Sequence, residues 1–198
     1  MYHLLTSVHK LFVLVVAFTL SLSKASAQTE TIKSGSFIVN MGVLPQTAGN
    51  ALKPYGMIYD LIRYNNVPVK LIIRQTKVKD GVDFTYNGTA FSGGTFIILA
   101  EDRSAAVNAK IASWVLQGVV GITTTSDFTV EVTQTLRAIP RWTLDSQNGA
   151  KAEAYLIAAG INTTAFPGAY NWKSPQTLDN CDDLFEPGNW FAECGLPD

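Results

Sequence analysis

Histidine is almost absent from this chain. The 198 residues include two histidines, His3 and His9, and both precede residue 28. A mature chain that starts at Gln28 therefore has none, which excludes Ser-His-Asp and Cys-His catalytic sets and His-ligated metal sites. A serine nucleophile would need a lysine as its base, and residues 28–198 contain neither an SxxK nor a GxSxG motif.

Clustered charge and nucleotide fingerprints are also missing. Charged residues make up 16% of the chain, the formal net charge is −1, and no run of basic residues occurs. These values exclude the electrostatic footprint of a nucleic-acid-binding protein. The loop after the first predicted strand has Gly42 and Gly49 but neither GxGxxG nor GxxxxGK[ST]. An ordinary connecting loop is therefore favoured over a nucleotide site, and no cofactor is expected.

Cysteine is scarce, with Cys181 and Cys194 as the pair. In an exported chain, an even number of cysteines in a loop-rich tail favours a disulfide between them. Two free thiols, or disulfide partners beyond residue 198 in a longer chain, are the alternatives.

The first 27 residues have the organisation of a secretory signal peptide. Lys10 precedes the apolar run Leu11–Leu22, and Ala25-Ser26-Ala27 places small residues where signal peptidase reads them. The run is shorter than the roughly 20 residues that a membrane span needs, although a retained anchor is the competing interpretation. We expect cleavage after Ala27, a secreted or cell-surface location, and no membrane span in the mature chain.

The stretch Ser36–Gln75 predicts a strand, an amphipathic helix and a second strand. Phe37-Ile38-Val39 is a short apolar run, Asn50 is a candidate N-cap, and Val67–Ile73 is rich in β-branched residues. The apolar stripe of the helix consists of Leu52, Tyr55, Ile58, Tyr59 and Ile62. A helix between two apolar strands predicts a parallel pair with a right-handed crossover.

The following segments predict a hairpin, a buried strand and further helices. Asn87-Gly88 between alternating residues is typical of a β-hairpin, and Thr95–Leu99 is typical of a fully buried central strand. Ser104 caps a predicted helix over Ala105–Gln117. We predict an α/β fold with a three-layer, mostly parallel sheet, helices on both faces and an inserted β-hairpin, left incomplete at the C-terminus.

Four segments are expected along the chain. Residues 1–27 are the signal peptide, 28–35 a flexible lead-in, 36–165 the α/β domain, and 166–198 an irregular tail rich in aromatic and acidic residues.

Candidate sites follow from the rule that ligands bind beyond the carboxyl ends of parallel strands. Glu101-Asp102-Arg103 follows the most buried strand, and Arg141 and Asp145 flank a later one. Adjacent carboxylates suit acid–base chemistry, but a solvated helix entry and a surface ion pair are the favoured interpretations. No catalytic residue is therefore assigned.

The tail supplies the remaining candidates. Its densest group of oxygen ligands is Asp179, Asp182, Asp183 and Glu186, which are weak candidates for a calcium site. The spacing does not match an EF-hand, so a solvated acidic tail is favoured and no metal is assigned. The tail aromatics could stack on a carbohydrate or contact a protein partner, although cover for the sheet edge is favoured; they are Phe166, Tyr170, Trp172, Phe185, Trp190 and Phe191.

Several segments carry a family resemblance. The runs ALKPYGMIYDLI, VKDGVDFTYNG, GGTFII, SAAVNAKI, PRWTLD and FPGAYNWKSPQTLDNCDDLF resemble the N-terminal α/β module of large secreted surface proteins of gliding, Bacteroidota-type bacteria. Those proteins are adhesin-like, and the family brings no established activity. The resemblance covers roughly residues 36–185 and departs after Phe185, where this chain looks truncated.

The preferred functional hypothesis is a non-catalytic module at the cell surface that acts in adhesion or as a scaffold, with a surface glycan or protein as candidate partner. The alternative is a hydrolase- or amidotransferase-like domain that lacks its catalytic half.

Overall fold

The computed structural model describes residues 28–44 and 46–178, together with the backbone of residues 183–184. The described helices are α1 (Lys53–Asn65), α2 (Ala105–Leu116) and α3 (Ala150–Ala159), with short 3-10 turns at Ala100–Asp102 and Pro175–Thr177. The strands are β1 (Gln28–Ile32), β2 (Phe37–Val39), β3 (Val69–Ile72), β4 (Val82–Tyr86), β5 (Thr89–Ser92), β6 (Thr95–Ile98), β7 (Gly121–Thr123), β8 (Phe128–Val132), β9 (Gln134–Leu136), β10 (Trp142–Asp145), β11 (Tyr170–Lys173) and β12 (Asp183–Leu184).

The central sheet has five strands in the order β7-β2-β6-β3-β9, and every neighbouring pair is antiparallel. Strands β2 and β3 run in the same direction on either side of β6, and β6 and β7 do so on either side of β2. With the β4–β5 hairpin inserted between β3 and β6, the order β2-α1-β3-β6-α2-β7 with this strand order is the split βαβ, ferredoxin-like arrangement. Strand β9 extends the sheet beside β3.

This sheet corrects the predicted fold class. The prediction of a three-layer, mostly parallel sheet with helices on both faces is wrong, because the sheets are mostly antiparallel. The helix α1 does connect two strands of the same direction, but β6 lies between them. Sequence alone assigns strands and helices by local pattern, whereas pairing depends on contacts between distant segments.

Alternate residues of the sheet pack on opposite faces. Phe37 and Val39 join a core cluster with side chains of all three helices, whereas Ile38, between them, joins a second cluster. The second cluster contains residues of the two-stranded pairs β1–β8 and β4–β5. The helices therefore cover one face of the sheet and the two β-ribbons cover the other.

Local signals predicted several elements correctly. The β4–β5 hairpin turns at Asn87 and Gly88, and both have positive φ. Strand β6 lies at the centre of its sheet with all four residues buried, and the Ser104 hydroxyl accepts the Val107 N–H at the start of α2.

Other local predictions are wrong. The N-cap of α1 is Leu52, while the Asn50 amide donates to the Gly118 carbonyl 3.4 Å away. Residues 28–32, expected in a flexible lead-in, form β1 against β8. The tail expected to be irregular contributes β11, which pairs with β10.

A small parallel sheet lies beside this core. Strands β11 and β12 flank β10, both parallel to it, and α3 connects β10 to β11. Among the described residues, adjacent parallel strands occur in this three-stranded sheet alone. They are not the two strands flanking α1 for which the sequence predicted a parallel pair. None of the helices in the described part of the chain is long and apolar enough to cross a membrane.

Candidate functional site

One side of α1 opens onto a cleft. The helix begins with Pro54 in its first turn, where the missing N–H removes no helical hydrogen bond, and it ends at Asn66 in the left-handed conformation. Most of its predicted apolar stripe packs into the core cluster. All five residues of that stripe line the cleft as well: Leu52, Tyr55, Ile58, Tyr59 and Ile62.

The opposite walls come from elements distant in sequence. They are contributed by β6 and β9 of the central sheet, by the segment between β9 and β10, by the first residue of β10, and by α3 with the second residue after it: Phe96, Leu136, Ala138, Ile139, Pro140, Trp142, Tyr155, Leu156, Ala159 and Ile161. The cleft has a volume of about 480 Å³, within the range of sites for small organic ligands. Among the residues that the structure describes, no Asp, Glu, Lys or Arg lines it.

Aromatic rings give the cleft flat walls. The rings of Tyr59 and Trp142 stack with centroids 5.3 Å apart and an interplanar angle of 18°. Tyr55 meets Phe96 edge to face, with centroids 5.6 Å apart. Tyr55 and Tyr155 are 47% and 53% exposed, so their rings border the solvent side of the cleft.

The Tyr59 hydroxyl is the notable polar group. Tyr59 is 2% exposed, and its oxygen is inaccessible to solvent. By strict geometry the oxygen has no hydrogen-bond partner among the described residues, but the Arg63 side chain is near enough to lower its pKa through charge and hydrogen bonding. The Arg63 guanidinium lies over the Tyr59 ring, 5.9 Å from the centroid, and donates to the carbonyls of Pro167 and Gly168. Burial raises the pKa of Tyr59, with a smaller opposing effect of Arg63, so the hydroxyl stays neutral and able to donate.

The sequence-predicted carboxylate pair lies elsewhere. Glu101 and Asp102 are in the 3-10 turn after β6, where burial raises the pKa of Asp102, with Glu101 as a smaller cause. Arg103 donates to the Gly35 carbonyl, to Thr123 and to Asn108, and its guanidinium lies over the Phe37 ring. These contacts attach the start of α2 to the sheet.

The first loop and Asp145 also have structural partners. Within the loop that follows β2, the Gln46 side chain donates to the Asn40 carbonyl and accepts the Val120 N–H. Asp145 is buried at the carboxyl end of β10 and accepts from the Gln147 N–H at 3.0 Å and the Asn148 side chain at 3.2 Å. The structure thus uses Asp145 to close the loop before α3, and Arg141 is exposed at the other end of the strand.

The calcium and disulfide predictions fall outside the described side chains. Asp179, Asp182, Glu186 and both cysteines are not described, and Asp183 is described by its backbone alone. Within residues 28–44 and 46–178, no three acidic or cysteine side chains form a group that could hold a metal ion.

Two tail aromatics contribute to the core. Phe166 packs edge to face on Tyr59, with centroids 5.6 Å apart, and the Tyr170 hydroxyl donates to Glu153 on α3. Trp172 is 42% exposed. Phe185, Trp190 and Phe191 lie outside the described residues.

A second cavity of about 220 Å³ lies beside the hairpin base and is lined in part by Arg74, Asp83 and Glu131. The Asp83 carboxylate there accepts from the backbone N–H groups of Arg74 at 2.8 Å and Gly94 at 3.1 Å and pairs with Lys77 at 2.6 Å. This cavity is therefore built around the structural attachment of the hairpin to β3.

Tyr86 forms an unusual contact on the ribbon side. Its hydroxyl oxygen accepts the backbone N–H groups of Thr125 at 2.7 Å and Ser126 at 3.0 Å. Hydrogen bonds with the side chains of Ser126 and Thr125, together with these backbone bonds, lower the pKa of Tyr86 to about 8. The two N–H groups resemble an oxyanion hole, but the phenol oxygen occupies it, so the arrangement joins the hairpin to the turn before β8.

We expect Tyr86→Phe to remove a rise in stability at alkaline pH. An unfolded tyrosine titrates near pH 10 and folded Tyr86 near 8, so between these values the unfolded chain binds more protons and stability rises with pH. Melting temperatures of the unmodified chain and of Tyr86→Phe, each measured at pH 7 and pH 9.5, test this. The unmodified chain should exceed the variant by more at pH 9.5 than at pH 7. Tyr155→Phe, on the exposed side of α3, should leave the alkaline rise in place; an equal rise in Tyr86→Phe would contradict the assignment.

The apolar stripe of α1 was predictable from the sequence, but the cleft that it lines was not. A stripe with two tyrosines among aliphatic residues is weak evidence for a site, because a core-facing helix shows the same spacing. The opposite wall follows β9, and its position depends on sheet pairing that no local pattern predicts.

A comparison with protein families, with curated proteins and with solved structures finds no match to this chain.

Proposed function

We propose that this chain is an exported, non-catalytic binding module of the cell surface that holds a small ligand in the cleft between α1 and α3. The cleft carries the proposal, since it combines a ligand-sized volume with walls that are mostly apolar and aromatic. The signal-peptide pattern of residues 1–27 and the resemblance to adhesin-like surface proteins support the location and an adhesion or scaffold role.

The use of the buried carboxylates supports a non-catalytic role. Asp60, Asp83 and Asp145 are the acidic residues buried among the described side chains, and each accepts hydrogen bonds that stabilise the fold. A general acid or base needs a side chain that faces a bound substrate. Within the described part of the chain, no carboxylate, lysine or arginine lines the cleft.

The test is binding of N-phenyl-1-naphthylamine, a neutral dye whose fluorescence rises in apolar surroundings. The protein is the chain from Gln28 onward, which retains every described residue. We expect saturable binding of one dye per chain. Ala138→Trp should weaken it at least about tenfold, or 1.4 kcal/mol, because Ala138 lines the cleft on an exposed segment and a Trp side chain there fills it.

The matched control is Ala112→Trp, which places the same side chain on the exposed face of α2 away from the cleft. It should bind the dye as the unmodified chain does. Equal binding by both variants would show that the dye binds elsewhere and would contradict the proposal. Turnover of ester, amide or glycoside substrates by the purified chain would contradict its non-catalytic part.

A further inference from the structure

We infer that two copies of this chain pair through the free edge of β7, antiparallel and about a two-fold axis at Ile122. Strand β7 ends the central sheet, with β2 on one side and no strand of the described residues on the other. Ile122 and Thr123 are exposed there, and Gly121 is half-buried. None of these residues is among those that line the cleft, so the inference does not depend on the proposed function.

The backbone of β7 presents its polar groups alternately to β2 and to solvent. The Thr124 N–H donates to the Ser36 carbonyl at 2.8 Å. The Val120 carbonyl accepts the Asn40 N–H at 2.9 Å. Hydrogen-bonded pairs alternate along an antiparallel ladder, so the even-numbered residues here bond to β2. The odd-numbered residues of β7 therefore direct their N–H and C=O groups toward the free edge.

The free groups are confined to Gly121 and Thr123. The next outward N–H in one direction, that of Val119, donates to a carbonyl of α2 at 3.1 Å. In the other direction, the Thr125 N–H donates to the Tyr86 hydroxyl at 2.7 Å. The edge open to another strand is thus short and has engaged residues at both ends.

This edge is complementary to itself. A two-fold interface places the same patch on both copies. With Gly121 of each copy opposite Thr123 of the other, all the free groups exchange N–H···O=C bonds, and Ile122 faces Ile122 in the closely spaced, non-hydrogen-bonded pair. A shift by two residues would set an engaged N–H, of Val119 or Thr125, opposite a free group. The axis therefore lies at Ile122.

The chain around β7 carries nothing that opposes self-pairing. Residues 111–126 contain no Asp, Glu, Lys or Arg and no proline. Edge strands usually resist pairing through charged side chains, proline or bulges, and like charges directly opposite each other are destabilising. The other edge strand of the central sheet, β9, is followed by Arg137 and Pro140. Two uncharged copies of β7 meet without repulsion.

Apolar side chains flank the edge on both faces of the sheet. Ile122 is 38% exposed and pairs with a β2 residue of the second core cluster, so it is on the ribbon face. On the helix face, Val115 is 43% exposed and lies about two turns after Asn108, which contacts the same Arg103 that bonds Thr123. A second copy at the edge covers Ile122 and approaches Val115. Because the pairing strand is short, we expect a weak dimer.

The first experiment measures the mass of the chain from Gln28 by sedimentation equilibrium between about 1 μM and 1 mM. We expect the mass to rise from that of one chain toward that of two. Ile122→Lys sets two ammonium groups opposite each other and should raise the dimer Kd at least about tenfold. The matched control is Val82→Lys, at a strand residue of similar exposure, 41%, in β4. It should dimerise as the unmodified chain does.

Three results of this experiment overturn the inference. They are a monomer at every concentration, a dimer that Ile122→Lys does not weaken, and a dimer that both lysine variants weaken equally. Melting temperatures identify a variant that has lost its fold, and the next experiment needs no charged substitution.

The second experiment determines the register with disulfides, in a chain whose Cys181 and Cys194 are replaced by serine. Ile122→Cys should give a covalent dimer on oxidation, because opposite residues of a non-hydrogen-bonded pair have Cα atoms about 4.5 Å apart, within the reach of a disulfide. Val120→Cys is the control. It lies opposite Thr124 of the second copy, so its own counterpart is about 13 Å away at about 3.3 Å per residue. A covalent dimer of Val120→Cys, or none of Ile122→Cys, contradicts the register.

Removal of residues 185–198 tests a different occupant of the edge. The shortened chain retains every described residue and should dimerise as the chain from Gln28 does. If only the shortened chain dimerises, the C-terminal segment covers β7 and the inference is overturned. Dye binding to the cleft is measured separately, so a failure to dimerise leaves the proposed function in place.

Discussion

Gly56→Ala is expected to destabilise the protein by about 2 kcal/mol, although alanine is the better helix former by about 1 kcal/mol. The reason is a contact between helices. A Cβ atom at Gly56 would lie 1.9 Å from the Ala159 carbonyl oxygen at the end of α3 and 2.8 Å from the Trp114 ring of α2. The carbonyl belongs to the backbone, so α3 must move, and overpacking of this kind costs about 3 kcal/mol before the gain in helix propensity.

The sign of the change makes this prediction sharp. Helix propensity alone predicts that Gly56→Ala stabilises the chain, whereas the contact with α3 predicts a loss. Gly56→Val should lose more, because three carbon atoms must enter a site with no room for one. Urea unfolding monitored by circular dichroism measures the free energy of unfolding.

Gly49→Ala is the control, because no atom lies within 4 Å of a Cβ at that position. It should change stability by less than about 0.5 kcal/mol. Since α1 and α3 form facing walls of the cleft, Gly56→Ala should also weaken dye binding, whereas Gly49→Ala should not. A stabilised Gly56→Ala protein would show that the two helices are further apart than described.

Asp60→Ala is expected to cost about 3 kcal/mol of stability. The Asp60 carboxylate is on the side of α1 that faces α2, with 4% of its side chain exposed. It accepts from the Trp114 indole N–H at 2.9 Å and from Lys110 at 2.9 Å. Alanine leaves the buried Trp114 N–H without an acceptor and creates a cavity between the helices, and both effects lower stability.

Two further variants separate the effect of the ion pair from the effect of burial. Lys110 is 44% exposed, so Lys110→Met should cost less than about 1 kcal/mol, as exposed ion pairs do. Asp80→Asn removes a carboxylate from the fully solvated pair with Lys79 and should be close to neutral. Denaturant midpoints rank the stabilities of Asp60→Ala, Lys110→Met and Asp80→Asn, and the Trp114 environment can be followed by fluorescence. Similar losses for Asp60→Ala and Asp80→Asn would contradict a buried role for Asp60.

The contacts of Asp60 also show why its structural role could not be predicted from the sequence. Asp60 lies inside an otherwise apolar helix face, where a single carboxylate could equally be a solvated residue or a catalytic one. Its two partners are 50 and 54 residues away. The assignment needs the packing of α1 on α2, which depends on where the sheet places both helices.

Elements with strong local signals were predictable for a physical reason. Asn87-Gly88 accommodates the positive φ that a tight hairpin requires, Ser104 provides an N-cap oxygen, and Thr95–Ile98 is apolar on both faces as a central strand must be. In each case the signal that predicts the structure is carried by residues within a few positions of one another.

The sequence by itself thus determined which segments form helices, turns and the buried central strand, and its lack of histidine after residue 27 limited the available chemistry. The tertiary structure alone decided that β6 lies between β2 and β3, that the sheet is antiparallel, and that the α1 stripe borders a cleft. Strand order and cleft walls join segments far apart in the chain, and their energies depend on side chains that no local window contains.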